Sequence, residues 1–576
     1  MAQIIDAYLG LTALRQAGYR STATAVAELV DNSIEAEAGN INILIESHDV
    51  VVSKKKSNQI RRIMVLDDGN GMPKDILSQC LSLGWGTRLD TREGLGRFGF
   101  GLKGSSLSQA RRVEVYSWQD GMDNASFVYM DLEEIHANKA QELPEATVKD
   151  LPTEVVKKFK ALIGSSGTLV VWDDLDQLSY KTSGTLTSHI NKELCRIYRH
   201  YLDDDDSYGE HRNIIVHEYD FDKDRHQQTK LAANDPLYLL TPNNVPGYIN
   251  SSTNEKFGDP IKLDIPFLWG EEKATSTVIV TCSVAKPTVQ KLGGSSVVGK
   301  HYKNNQGISF VRAGREIDFG GFGYLKDSDP RDRWWGIEVR FEPVLDEYFG
   351  VTNNKQEVRN IKKLDDDAMK EFSEAADNGD GKAYLLSKLN KVLSERIEQM
   401  MKVITGRGTG ERRRKQAKDV VDLVNVDVEK DKVTTESSKH GSELTPEQKI
   451  AERIKTILDD DSTVTQEEAQ KIANETLNYV VDLKTAEWPG YMFLERQLAG
   501  NASVGILNRN TAFYRHFWEY LLNHSDSKGI EALEVILLAF IRAEDELVVR
   551  YDKNVFSDFR QLWGSYVERL ISHAGS

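Results

Sequence analysis

Cysteine is nearly missing from this chain. Only Cys80, Cys195 and Cys282 occur, far apart, odd in number and with no CxxC or His pairing beside them. That excludes a disulfide framework and a zinc finger. Long hydrophobic runs are absent too: none approaches the ~20 residues that a membrane-spanning helix needs. The first residues, MAQIIDAYLGLTALRQAGYR, lack the basic start and long apolar centre of a secretory signal. A reducing cytoplasm, with no membrane, is the expected setting. Positive charge is in deficit, with 73 Lys and Arg against 89 Asp and Glu and a net charge of −16. This argues against wholesale coating of nucleic acid but leaves local patches open. One basic cluster stands out, RGTGERRRKQAK at 407–418. It reads either as a solvated linker or as a short arm for phosphate backbones. No internal repeat is present.

The chain has 576 residues, 40 % hydrophobic and 28 % charged. That is a globular composition, long enough for about three or four domains. INILIES (41–47), RRIMVLDD (61–68), RRVEVYSW (111–118), NASFVYMDL (124–132) and GTLVVWDDL (167–175) are rich in β-branched and aromatic residues and read as strands. KKKSNQ (54–59) reads as the polar turn of a hairpin between the first two. Helical patterns precede and interrupt them, so residues 1–185 predict an α+β sandwich with helices on one sheet face. Residues 186–380 form a second mixed region, with strands expected at 214–221, 276–285, 307–317 and 334–343. A long helix is predicted at 383–404, from apolar residues at 3- and 4-residue steps. Residues 381–445 then comprise this helix and a polar linker with the basic cluster. The last region, 446–576, reads as mostly helical. Its start is marked by Thr445 as cap and Pro446 at the first helical position, and TQEE (465–468) forms a capping box.

The chemistry concentrates near the start. AELVDNSIEA (27–36) places Glu28 and Asn32 four apart, neighbours on one helix face, beside the apolar residues Ala27, Leu29, Val30 and Ile34. Such a pair can hold a water and a hard cation side by side. VLDDGNGM (65–72) ends a strand in Asp67. A carboxylate there accepts from an exocyclic amine, Gly69 and Gly71 let a flat ring approach the backbone, and Met72 can pack on that ring. EGLGRFGFGLKGSS (93–106) runs a glycine-rich loop into a helix, aiming backbone N–H groups at phosphates, with the charge of Lys103 nearby. It is neither GxxxxGK[ST] nor the dinucleotide fingerprint. In SSGTLVVW (165–172), Thr168 opens a strand, where its hydroxyl can assist Asp67.

Taken in this order, Glu-x-x-x-Asn, Asp-x-Gly-x-Gly-Met, GxGLKG and Gly-Thr resemble the GHKL ATPase superfamily. That group includes gyrase B, MutL, the ninety-kilodalton heat-shock chaperone, sensor kinases and the MORC proteins. The resemblance covers roughly residues 10–175. It implies a Bergerat-type ATPase sandwich, with Glu28 as the base that activates water and Asn32 as the magnesium ligand. Asp67, Gly69, Gly71, Met72 and Thr168 are implied around adenine, and Gly96, Gly99, Gly101, Leu102, Lys103 and Gly104 around the phosphates. ATP and Mg2+ are the implied cofactors. ELVDNS with GRFGFGLK is most similar to MORC proteins and their prokaryotic relatives, where MutL proteins have GFRGEAL. FGVTNNKQEV (349–358) resembles the Asn-Lys-Gln stretch of a transducer-like second domain and implies Lys355 as the lysine reaching the γ-phosphate. The same resemblance implies a lid over about residues 82–104 and a homodimer formed on ATP binding. It further implies a clamp on DNA in defence against foreign DNA, or alternatively a chaperone-like clamp on a protein client or effector.

Overall fold

In a computed structural model of the chain, the described residues are 6–16, 18–52, 55–83, 85, 100–204, 211–269, 272–325, 329–352, 355–406, 421, 425, 433–460, 464–523 and 527–574. They divide into two compact units. The first comprises residues 1–283, 307–322 and 336–391, and the second 284–306, 323–335 and 392–576.

An eight-stranded sheet dominates the first unit, in the order β5-β4-β3-β6-β2-β1-β7-β8. Its strands are β1 (Asn40–Val52), β2 (Lys55–Asp67), β3 (Ala110–Trp118), β4 (Ser126–Asp131), β5 (Thr147–Val148), β6 (Gly167–Leu175), β7 (Asn213–Asp220) and β8 (Arg225–Lys230). The β1–β2 hairpin is longer than the sequence suggests. Residues 55–59, expected in the turn, are already strand and pair with β1 from Val52↔Lys55 to His48↔Gln59. β1 and β7, distant in sequence, pair in parallel.

Side chains alternate across this sheet because successive residues of a strand face opposite ways. Ile41, Ile43, Ile45, Ile63 and Val65 face a core shared with α1 (Ala7–Gln16), α2 (Thr22–Glu35), α4 (Gly101–Leu107) and α7 (Ser183–Ile197). Leu44, Met64 and Leu66 face a smaller core with Leu151, Val155 and Phe159, the last two on α6 (Thr153–Phe159). Between these elements lie α3 (Lys74–Gln79) and α5 (Leu132–Asn138), and α8 (Arg199–Leu202) follows α7. This is the expected α+β class, but helices were expected on one sheet face and α6 covers the other, because Leu44, Met64 and Leu66 make that face apolar as well.

A second sheet has the order β10-β11-β14-β12-β13, with β9 paired to β11. Its strands are β9 (Asn254–Lys256), β10 (Ile261–Trp269), β11 (Glu272–Ala285), β12 (Ile308–Arg312), β13 (Arg315–Gly320) and β14 (Trp335–Phe341). The stretch 307–317, read as one strand, is two: Gly314 has φ +78° and turns the chain between β12 and β13. The predicted long helix runs Gly381–Gly406.

In the second unit, helices Glu436–Glu443, Pro446–Asp460, Gln466–Glu475, Ser527–Leu547 and Lys553–Ala574 accompany a three-stranded sheet. This sheet is β15 (Val481–Ala486), β16 (Leu494–Ala499) and β17 (Ala502–Asn508), in the order β15-β17-β16. It is an addition to the helical region read from sequence. Thr465 and Glu468 cap each other reciprocally, as the TQEE pattern implies. Among the described residues, no helix is long and apolar enough to cross a membrane. The basic cluster at 407–418 lies outside the described residues.

Candidate active site

The site grows from α2. Ser21 caps it, its hydroxyl accepting from Thr24 N at 3.2 Å while Thr24 Oγ1 accepts from Ser21 N at 3.0 Å. The helix is buried on nearly every side, and its acids go in with it: Glu28 is 1 % and Asp31 0 % exposed. Buried carboxylates require partners, and two cations supply them. Lys355 Nζ lies 2.9 Å from Asp31 Oδ2 and 3.4 Å from Glu28 Oε2. Arg315 Nε donates to Asp31 Oδ1 at 2.8 Å, and its Nη2 is 3.9 Å from Glu28 Oε1. Tyr198 O–H donates to Asp31 Oδ1 at 2.7 Å and to Ala27 O at 2.6 Å.

The two acids differ sharply. Asp31 accepts hydrogen bonds from three side chains, whereas Glu28 accepts one, the longer contact from Lys355, and among the described residues its Oε1 has no hydrogen-bond partner, with Arg315 Nη2 at 3.9 Å. Burial raises the Glu28 carboxyl above its ordinary range, against the opposing charge of Lys355. Asp31 is buried as deeply, yet Arg315 and Lys355 bring its carboxyl below the ordinary value.

A second cluster forms where β2 ends. Asp67 is 4 % exposed. Its Oδ1 accepts from Gly69 N at 3.0 Å and Thr168 N at 3.2 Å, and its Oδ2 accepts from Ser33 Oγ at 2.8 Å. Burial outweighs these donors and pushes the carboxyl up to about 6. β2 and β6 pair Asp67 with Thr168, which brings two distant motifs together. Thr168 serves through its backbone N–H, while its hydroxyl faces Ser117 Oγ at 3.0 Å. Ser117 Oγ also accepts from Met72 N at 2.8 Å. Gly71 has φ +66°, and a Cβ there would meet Trp118 O at 2.1 Å, so only glycine fits.

At the start of α4, a Cβ on Gly101 would stand 2.5 Å from Glu28 Oε2. The helix therefore approaches the acid as bare backbone. Leu102 packs against the main core. Lys103 is 4 % exposed and donates to Trp85 O at 2.8 Å. Burial lowers its ammonium to about 8. A Cβ on Gly104 would lie 3.6 Å from Tyr19 Oη. Asn32 is exposed, one turn after Glu28. Gly96 and Gly99 lie outside the described residues, as does most of the expected lid.

Of the residues expected from sequence, the fold thus gathers Glu28, Lys355 and Gly101 in one place, and Asp67, Gly69 and Thr168 in another. Sequence reasoning passed over Asp31, Ser33, Ser117, Tyr198 and Arg315. Asp31 carried a signal, since it lies three residues after Glu28 on the same helix. Arg315, which follows an Ala-Gly turn 284 residues beyond Asp31, carried none.

Comparison with known proteins bears on this geometry. Residues 19–162 match the family described as histidine kinase-, DNA gyrase B-, and HSP90-like ATPase. Protein MICRORCHIDIA 7 of Arabidopsis thaliana is 30 % identical over 102 residues, which cover 18 % of this chain and 14 % of that protein. A crystal structure of the N-terminal domain of a DNA repair protein aligns with a TM-score of 0.37 at 14 % identity, covering 67 % of this chain and 98 % of that one. A likeness that low carries no argument. The matched region holds the Glu28, Asp67 and Gly101 motifs on one α+β sandwich, so residues 19–162 are similar to a histidine kinase-, DNA gyrase B-, and HSP90-like ATPase domain, and the chain spans about a seventh of the length of the MICRORCHIDIA relative.

Proposed function

We propose that the chain is a magnesium-dependent ATP hydrolase in which nucleotide gates a clamp of two copies acting on DNA. The observation that carries the reading is the meeting of Lys355 with Glu28, 327 positions apart, at 3.4 Å. Phosphoryl transfer is mostly positioning and charge neutralisation. A lysine beside a buried carboxylate supplies the second, and the carboxylate supplies a base for water. In this reading the pocket belongs to residues 1–185 and the lysine to a transducer-like region, 186–380.

The residues present suit a nucleotide. Glu28 Oε1 is a buried acceptor with no hydrogen-bond partner, as a base for water requires. Asp67, fixed by three donors, retains acceptor capacity for an exocyclic amine, because a carboxylate offers about four lone-pair sites. Met72, whose N–H donates to Ser117 Oγ at 2.8 Å, is the residue assigned to pack on a flat ring. Asn32 offers an amide oxygen, a donor suited to magnesium, which takes one or two protein ligands beside phosphates and water. When bound, the ion neutralises charge on those phosphates. By sequence motif Gly96, Gly99, Gly101, Leu102, Lys103 and Gly104 are assigned to the phosphates, and of these Gly101 approaches Glu28 without a side chain in the way.

The decisive experiment is Glu28→Gln in the full chain. Nucleotide binding by calorimetry should persist while turnover falls about 10²–10⁴-fold. Normal turnover would remove Glu28 as base. For DNA, the support is the basic cluster 407–418, and retention on DNA should weaken steeply with salt. The net charge of −16 favours a second reading, a clamp on a protein client. Salt-independent retention or none would select it.

A further inference from the structure

Four buried charges meet at α2, and the contacts among them are unequal. Arg315 makes two contacts that bear on Lys355. Its Nε holds Asp31 at 2.8 Å, and its Nη1 donates to the carbonyl oxygen of Lys355 itself at 2.9 Å. Asp31, locked by Arg315 and Tyr198, takes the Lys355 ammonium at 2.9 Å. One arginine thus fixes both ends of the same lysine: the backbone directly and the ammonium through Asp31.

The backbone there needs fixing. Lys355 has φ +50°, a conformation uncommon for a residue with a side chain. Its N–H donates to Thr352 O at 2.8 Å, and the loop is closed at its base by the bridge between Val351 and Val358. The next residue is also tied to α2's approach, with Gln356 Oε1 accepting from Arg20 N at 3.1 Å. The first two contacts shape the loop itself, and the third ties it to the residues just before α2.

We propose that Arg315 and Asp31 are positioning residues for Lys355, holding its backbone and ammonium against α2 while Glu28 stays the loosely held carboxylate of the four. This rests on the reading of Lys355 as the lysine that neutralises charge during hydrolysis. Asp31 absorbs the strong contacts of both cations. A lysine locked instead onto Glu28 would occupy the oxygens that a base must keep open. Arg315 is the residue that makes this division, since it occupies Asp31 Oδ1 and leaves Oδ2 to the ammonium.

The test is a coupling measurement in the full chain. Turnover and ADP affinity are read for Arg315→Gln, Lys355→Met and the double variant. Arg315→Gln should slow turnover at least about tenfold with ADP affinity nearly unchanged. In the Lys355→Met background it should add less than about twofold, because residues acting through one another are not additive. If the two losses multiply, Arg315 acts by another route and the proposal falls. It falls equally if Arg315→Gln turns over normally. If Lys355→Met itself turns over normally, the lysine assignment fails first, which is a separate result. Should Arg315→Gln not fold, Arg315→Lys keeps the charge but not the two-pronged grip. It should show the same loss of turnover with ADP affinity retained, and full activity in that variant overturns the proposal. A second readout needs no turnover. Unfolding midpoints of Asp31→Asn, Lys355→Met and their double variant should be strongly non-additive, and additive midpoints would refute the Asp31 anchor.

Discussion

Replacing Asp67 by asparagine separates the cost of burying this carboxylate from its use. Asp67 keeps a charge at neutral pH in a place where burial pushes its carboxyl up to about 6, against an ordinary value near 3.9. A folded-state value above the unfolded one means that the group contributes stability present below about pH 4 and lost as pH rises through about 6. The difference of about two units corresponds to about 3 kcal/mol at pH 7. An asparagine side chain would keep an oxygen for the Gly69 and Thr168 N–H groups, and its amide can donate to Ser33 Oγ, which then turns acceptor. Asp67→Asn should therefore be as stable as the parent at pH 7 or more stable, by up to about 3 kcal/mol. That advantage should shrink to nothing towards pH 4. The same substitution turns an acceptor for an exocyclic amine into a donor. ADP affinity should drop by about 1–3 kcal/mol, roughly ten- to hundredfold, as for a buried polar group left unpaired. Denaturation of both proteins from pH 4 to 7, with calorimetric ADP titration at pH 7, measures both arms. A variant several kcal/mol less stable at pH 7 would refute the burial argument. Unchanged ADP affinity would refute the assignment of Asp67 to the base.

Lys355→Met leaves Glu28 and Asp31 with Arg315 as their one buried cation. Breaking such a pair costs about 3–5 kcal/mol, visible as a lowered unfolding midpoint, and adding Asp31→Asn should restore most of it. Turnover of Lys355→Met should fall about 10²–10³-fold, as when one charge-stabilising group is removed. With Glu28 raised above the ordinary carboxylate range by burial, hydrolysis should decline on acidification at a pH higher than an exposed Glu would give. Glu28→Gln should remove that decline from its residual rate. Gly71→Ala forces a Cβ to 2.1 Å from Trp118 O in a left-handed backbone. It should destabilise the domain by more than about 1 kcal/mol and weaken ADP binding, and a variant with parental melting and binding would show that this turn is not as tight as drawn.

The sequence alone marked the candidate motifs and determined the α+β class of the first sandwich. INILIES and RRIMVLDD supplied apolar residues to both faces of the sheet, Ile41, Ile43, Ile45, Ile63 and Val65 to one and Leu44, Met64 and Leu66 to the other, because side chains alternate with period two. Glu28, Asp67 and Gly101 could be picked out because their motifs are short and contiguous, so spacing carries their meaning. The β15–β17 sheet was not legible, since its strands are brief and lie between strong helical patterns, and pairing between strands is a non-local contact. The turn that splits 307–317 into two strands had one local mark, Gly314, which the reading of a single strand passed over. Only the tertiary structure decided which acid of α2 would carry which partner. Asp31 and Glu28 look alike in sequence, one turn apart on a helix. Their difference arises because Arg315 and Lys355, hundreds of residues downstream, arrive nearer to one carboxylate than to the other. Buried charges must be matched in space, and the spatial neighbour of a residue is set by the whole fold.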